Sequence, residues 1–334
     1  KHVANGMSCC LYPGYPSLFM QFNKSVKWVE DPHWYKGIEY YKDRDRGVPY
    51  KEDLWVPGYF ELPIKKGESI LFSASTFECD PAGFEKTYDE EIKTRTCRTS
   101  FYNCLKNAAK QFYLKKSTGT YIMAGYPWYN VRSRDELIAL PGCTLAIDHK
   151  EDYEMILATF LKALFRYIDE GIKDKTITEI DLPDIPLWTI WSIMQYKHVY
   201  GMEMCREKYG KDVKAIVDAI ISGKVANLHF DDNGLLYTDG HNIPVTWLSA
   251  SIDGKPIIPR SGYIVEFNAL WYSALCFLID LYAESVEPIV DRPMLHALAD
   301  KTGKSFTDTF LNEYGYLYDY VDGNYADLQV RPNM

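Results

Sequence analysis

Residues 121–142, YIMAGYPWYNVRSRDELIALPG, concentrate the side chains of this chain that could act on a sugar. Tyr126, Trp128 and Tyr129 offer flat apolar faces for the C–H face of a pyranose, while Arg132, Arg134 and Asp135 offer directional hydrogen bonds to hydroxyls. Each half has a plainer reading. Aromatic loops are more often core anchors than ligand platforms, and an Arg-Asp pair at a helix start is usually a cap with a surface ion pair. Their coincidence in one loop points to a binding site. Two further stretches carry the same mixture: residues 178–188 hold Asp184 and Trp188, and residues 238–266 hold Trp247, Arg260 and Glu266. Asp184 reads equally as a hydroxyl ligand or a helix cap. Glu266 reads equally as a ligand contact or as a structural ion pair with Arg260.

Other chemistries lack their residues. The seven histidines are scattered, no H-E-x-x-H or Cys/His cluster occurs, and there is neither a Walker loop nor G-x-S-x-G, so no metal, cofactor or nucleotide is expected. Glu52 and Asp53, near Lys51 and Arg46, read as a solvated ion-pair patch. A net charge of −9 with mixed signs argues against nucleic acid as a partner and suits a neutral ligand. No apolar run approaches the roughly 20 residues of a membrane span, and KHVANGMSCC lacks the regions of a signal peptide, so a soluble protein without membrane contact is expected. Eight cysteines without a C-x-x-C pair read as reduced core thiols, which favours the cytoplasm. Aromatics at 15%, led by 27 Tyr, suit carbohydrate handling and a large helical core alike.

The elements that must position these loops change along the chain. Up to about residue 75 the pattern is strand-like, punctuated at Pro13-Gly14, Pro57-Gly58 and Lys66-Gly67, and after Asp80-Pro81 the period becomes helical. Residues 95–115 predict an amphipathic helix with Cys97, Phe101, Cys104, Leu105, Ala108, Ala109 and Phe112 on its apolar stripe. Residues 151–172 place Tyr153, Ile156, Leu157, Phe160, Leu161, Leu164, Phe165 and Ile168 on one face, with Gly171 at the end. By contrast, 185–199 and 267–282 are apolar nearly all round, and 211–222 and 305–314 are one-sided again.

One-sided and all-round apolar helices in alternation are satisfied by two concentric layers. A mainly α fold follows: an (α/α)6 toroid over 95–334, preceded by a linker at 76–94 and part of a β-sandwich at 1–75. About seven helices are expected where a closed ring needs about twelve, and the chain begins without an initiator Met. An internal fragment is therefore expected, with the rest of its barrel as a partner.

With these residues in place, the sequence resembles the glycogen debranching enzyme family, specifically its amylo-α-1,6-glucosidase part. WYKGIEYYKDRDRGVPYKEDLWVPGYF is similar to the end of that family's N-terminal β-sandwich, and GYPWYNVRSRDELIALPG to its Gly-Tyr-Pro-Trp and Arg-Asp signature. LPDIPLW, DDNGLLY, VTWLSASIDGKPIIPRSG, VEFNALWYSAL and the terminal VRPNM follow in family order. The resemblance implies an (α/α)6 barrel, an α-glucan or oligosaccharide substrate, and hydrolysis of α-1,6-linked glucose stubs with inversion. Inversion needs two carboxyls roughly 6.5 to 9.5 Å apart. The family's acid is the Asp of a Thr-Trp-Met-Asp-Ala stretch, and Ser249 stands there within Thr246, Trp247, Leu248, Ser249 and Ala250. The family's general base lies near the end of the complete barrel, beyond Met334, so this chain alone is expected to be inactive. Arg134 and Asp135 match the Arg-Asp that holds the terminal glucose, with Trp128, Asp184, Trp188, Trp247 and Arg260 as neighbours. Arg132 and Ser133 depart from the common Trp-Gly. Asp135 as the acid, or Asp239 compensating from the next loop, are alternatives. A glucan-binding homologue without hydrolysis, or an α-glucosidase of related fold with another substrate, are rival functions.

Overall fold

The computed structural model describes residues 1–126, 128–283 and 289–332. Pro127 of the Gly-Tyr-Pro-Trp run and the final Asn333-Met334 lie outside the described residues. Two units are present, residues 1–98 and 99–334.

In the first unit, strands His2–Val3, Gly6–Cys9, Leu18–Phe22 and Phe72–Ser75 form an antiparallel sheet in that order. Gln21 is buried in it, and its amide satisfies Ala4 O at 3.0 Å, Cys79 O at 2.8 Å and the Cys79 N–H at 2.8 Å. Lys27–Glu39 and Lys51–Glu61 pair as a separate antiparallel ribbon, bent where the register shifts at Glu30/His33 and Tyr35/Ile38. Helix α1 (Tyr41–Asp45) sits between its strands. The ribbon reaches the sheet through a relay of rings, Trp28 to Phe60 at 4.9 Å, Phe60 to Phe22 at 5.0 Å and Phe22 to Phe72 at 5.0 Å. The described residues thus form separate small sheets, and the stretch expected as a linker holds a turn capped by Asp80 and helix α2 (Phe84–Thr94). The acidic pair of the ribbon is used differently from the expected patch. Glu52 accepts the Tyr40 hydroxyl and Asp53 accepts the Gly37 N–H, while Lys51 pairs with Glu39.

The second unit is helical with small sheets. Its helices are α3 (Phe101–Gln111), α4 (Ser133–Cys143), α5 (Lys150–Glu170), α6 (Ile185–Tyr200), α7 (Met202–Ile221), α8 (Val265–Leu281) and α9 (Arg292–Phe310). The all-round apolar helices α6 and α8 pack against each other, α4 lies beside α6, and the one-sided α7 and α9 cover them from α6 to α8 and along α8. Helix α5 buries its expected stripe from Tyr153 to Leu164, and the Tyr153 hydroxyl fastens it to Ser192 O of α6 at 2.8 Å. It stops at Gly171, whose φ of 71° is the left-handed turn that glycine tolerates. A five-stranded antiparallel sheet brings together His229–Phe230, Leu236–Thr238, Gly262–Ile264, Tyr320–Asp322 and Tyr325–Ala326.

Three expectations need correction. The helix predicted over 95–115 begins only at Phe101, because Ser100 accepts the Asn103 N–H and caps it, and it ends at Gln111, because Tyr113–Lys116 turns back as a hairpin with Gly119–Ile122. Its stripe is not core: Phe101 is 80% exposed and Leu105 49%. The cysteines are free but not core residues as a set; Cys205 is buried, whereas Cys10, Cys97 and Cys104 are exposed. Helix α9 extends well before 305, starting behind an Asp291 cap and Pro293.

Candidate functional site

The loop of residues 123–132 leaves the hairpin at Ile122 and enters α4 at Ser133. Its far end is fixed by a short parallel pairing, Val131 with Ile177 and Arg132 with Thr178, reinforced by Ser133 Oγ to Thr178 O at 2.8 Å and Thr178 Oγ1 to Val131 O at 3.0 Å. This joins the 121–142 and 178–188 stretches at one edge of a cleft of about 790 Å³. Residues of the third stretch supply the other side: Pro244, Trp247, Leu248, Ser249, Ala250 and Ser251.

Four of the expected site residues line this cleft, namely Trp128, Arg132, Trp247 and Ser249, together with Tyr129. Trp128 is 82% exposed and Trp247 40%, so both indoles offer a free face. Arg132 sits 5.8 Å from the centroid of the Tyr129 ring and makes a two-pronged bond to Glu179, Nε to Oε2 at 3.1 Å and Nη2 to Oε1 at 3.0 Å. Glu179 was not singled out from the sequence. It holds a left-handed backbone, φ 61°, which a non-glycine residue adopts only when its surroundings impose it. Its signal in the sequence was an unassigned carboxylate inside a stretch already marked as a site loop. Among the described lining residues, Glu179 is the one carboxylate.

The other expected site residues stand elsewhere. Arg134 and Asp184 are buried as a bidentate pair, Nε to Oδ2 at 2.6 Å and Nη2 to Oδ1 at 2.9 Å, and the Trp188 indole N–H also donates to Asp184 Oδ2 at 3.0 Å. Asp184 precedes α6 as expected, but its side chain makes no cap bond, since Arg134 and Trp188 engage it. Burial alone would lower the Arg134 pKa; the charge and hydrogen bonds of Asp184, with the charges of Glu179 and Asp135, together outweigh it and the net shift is upward. Asp135 is half-exposed, 3.5 Å from Arg132 Nε, and lines a smaller groove with Phe112, Met123 and Ile138. Tyr126 lies against Phe112, ring centroids 6.2 Å apart.

Arg260 and Glu266, expected as sugar contacts, instead hold each other in a buried ion cluster. Arg260 Nη2 lies 2.6 Å from Glu266 Oε2 and 2.7 Å from Asp319 Oδ1, and its Nε lies 2.9 Å from Asp319 Oδ2. Arg331 bonds the same Asp319 and reaches Asp327 at 2.9 Å. This structural-pair reading was the one left open for Glu266. The cluster fastens the sheet to the start of α8. Gly240 is needed beside it, because a Cβ there would meet Arg260 O at 1.8 Å. Asp239 faces solvent and its carboxyl is held below the usual range, chiefly by the His241 N–H.

Chemically, the cleft can stack a sugar ring on an indole and bond hydroxyls through Arg132, Glu179, Asn130, Thr178 and Ser249. Among the described residues no group of His, Cys, Asp and Glu could hold a metal ion, and no helix is long and apolar enough to cross a membrane. Comparison with known proteins agrees with the sugar chemistry: the family described as amylo-alpha-1,6-glucosidase matches residues 106–334, and that described as glycogen debranching enzyme N terminal matches residues 1–71. No curated protein was found to match the chain. The chain belongs to the glycogen debranching enzyme family, and its amylo-alpha-1,6-glucosidase part carries the cleft.

Proposed function

We propose that the protein takes the α-1,6-linked glucose stub of a branched α-glucan, such as glycogen, into the cleft of Trp128, Tyr129, Arg132, Glu179, Trp247 and Ser249. The observation that carries this reading is the arrangement of two open indoles around a bidentate Arg-Glu pair in one cleft of the family's glucosidase part. Helices α4, α6 and α8 side by side, with α7 and α9 against them, support the accompanying reading of an (α/α)6 toroid whose inner-helix loops meet at the cleft. A cytoplasmic setting belongs to the same proposal, in keeping with cysteines that are free, several of them exposed.

The family reaction is stub hydrolysis, and by inversion it requires a general acid and a general base. Ser249 favours a second reading, recognition without hydrolysis, because a hydroxyl is a poor proton donor and Glu179 is the one described carboxylate of the cleft. Glucose release from a debranching limit dextrin by a chain that also carries the family's general base, with the present chain as control and the anomer read by NMR, decides between them. β-Glucose establishes inverting hydrolysis. Binding without release establishes recognition alone.

Binding itself has a direct check. Trp128→Ala and Trp247→Ala are each expected to weaken branched oligosaccharide binding about tenfold, the ~1.4 kcal/mol appropriate to one lost aromatic contact. Isothermal titration measures it. Unchanged affinity in both variants would place the sugar elsewhere.

A further inference from the structure

We propose that Glu136 is a positioning residue for the aromatic loop, tying the strand through which the chain enters the loop to the helix on which it leaves. This rests on the reading of the cleft as a glucan site.

Glu136 lies in the first turn of α4, four residues after Arg132 ends the loop, and is 1% exposed. Its Oε1 accepts the Ile122 N–H at 2.9 Å, and Ile122 is the last residue of the strand Gly119–Ile122 before the loop begins. One side chain therefore spans the mouth of residues 123–132, which carry Tyr126, Trp128, Tyr129 and Arg132. The loop's far end is fastened by the Val131–Ile177 pairing and its near end by the Met123 N–H to Phe112 O at 2.8 Å, and Glu136 adds the side-chain tie that joins the near end to α4. Its Oε2 is buried and has no hydrogen-bond partner among the described residues. An ionised carboxylate in that position is uncompensated, whereas a neutral acid is tolerated.

The surroundings enforce the neutral form. Burial pushes the Glu136 pKa up to about 8, against the Ile122 N–H bond that favours ionisation, and the charge of Asp174 adds to the rise. Asp174 accepts the N–H groups of Thr176 and Ile177 at the neighbouring pairing. Around α4, Arg134 and Asp184 bond each other, the Tyr153 hydroxyl bonds Ser192 O, the Tyr113 hydroxyl bonds Cys143 O, the Tyr121 hydroxyl bonds Thr118, Asp135 lies 3.5 Å from Arg132, and burial pushes the Cys143 thiol up.

The sign of the pH dependence follows. Burying Glu136 against Ile122 raises its pKa from an exposed value of roughly 4.3 to about 8, so the form in which this tie is made holds its proton more tightly. Its advantage is complete below about pH 4.3, shrinks by about a factor of ten per pH unit as pH rises, and levels off above about 8. Glutamine keeps the acceptor for Ile122 and removes the proton.

Amide exchange of residues 119–132, corrected for intrinsic rates, tests this between pH 5.5 and 8.5 alongside oligosaccharide affinity. Wild-type protection of Ile122 and the loop amides is expected to fall by up to about tenfold per pH unit and Glu136→Gln to stay flat. Glu136→Leu is expected to bind about tenfold more weakly while α5 and α6 stay protected. Coincident wild-type and Glu136→Gln profiles overturn the proposal, including where Glu136→Leu does not fold. If no variant binds glucan, the cleft reading fails, and the exchange profiles still decide the role of Glu136.

Discussion

Arg260→Met is expected to lower the free energy of unfolding by about 3–5 kcal/mol, the cost typical of removing one partner from a buried ion pair. The side chain is almost wholly buried and its guanidinium bonds both Glu266 and Asp319. Deleting it removes the fork that both carboxylates share in a buried place where water is a poor replacement, while Arg331 stays on Asp319 and Asp327. Burial alone would depress the Arg260 pKa, and the two carboxylates reverse that, so the net upward shift reports how strongly they hold the charge. Arg260→Lys should recover little, because a single ammonium cannot reproduce a fork bonded to two carboxylates. Urea unfolding followed by circular dichroism provides the measurement. Lys27→Met, which breaks an exposed ribbon pair with Glu61, is the control and should leave the midpoint unmoved. Equal effects of the two substitutions would mean that the buried cluster is solvated in solution.

In a chain that also carries the family's general base, Ser249→Asp is expected to create or raise glucose release from a limit dextrin by roughly 10² to 10⁴ fold, the usual contribution of a positioned general acid. The position lines the cleft beside Trp247, so a carboxyl there would face the space proposed for the sugar. Binding affinity should change little, since serine and aspartate both bond hydroxyls. The rate rise would appear in kcat, as expected for an interaction made in the transition state. A wild-type protein that already hydrolyses the dextrin rapidly, and loses rate on this substitution, would show that another residue is the acid.

What the sequence disclosed and what it withheld differ by range. Helix α5 was legible because its stripe and its Gly171 stop are local facts, and α6 and α8 because an all-round apolar helix has few places to go. The aromatic loop was legible as a site because Trp128 and Arg132 carry their chemistry wherever they stand. The polar residues were harder. Asp184 looks like a cap until Arg134, 50 residues earlier, takes its carboxylate, and Arg260 looks like a sugar ligand until Asp319, 59 residues later, closes on it. Glu179 acquires its role from a left-handed backbone that no local pattern announces. For α3, periodicity correctly grouped the apolar residues on one face, but it says nothing about what covers that face, and Phe101 and Leu105 are exposed.

The parallel pairing of Val131–Arg132 with Ile177–Thr178 also has a consequence in time. Its partners are 47 residues apart at the Thr178–Val131 bond, and the crossover between them is α4 followed by α5. Closing so long a loop before its helices exist is entropically unfavourable, whereas docked helices bring the strand ends together. Refolding should therefore recover helical ellipticity before Trp128 and Trp247 acquire their final fluorescence. A substitution that loosens α5 against α6, such as Tyr153→Phe, should delay the rim while leaving every residue of the cleft unaltered.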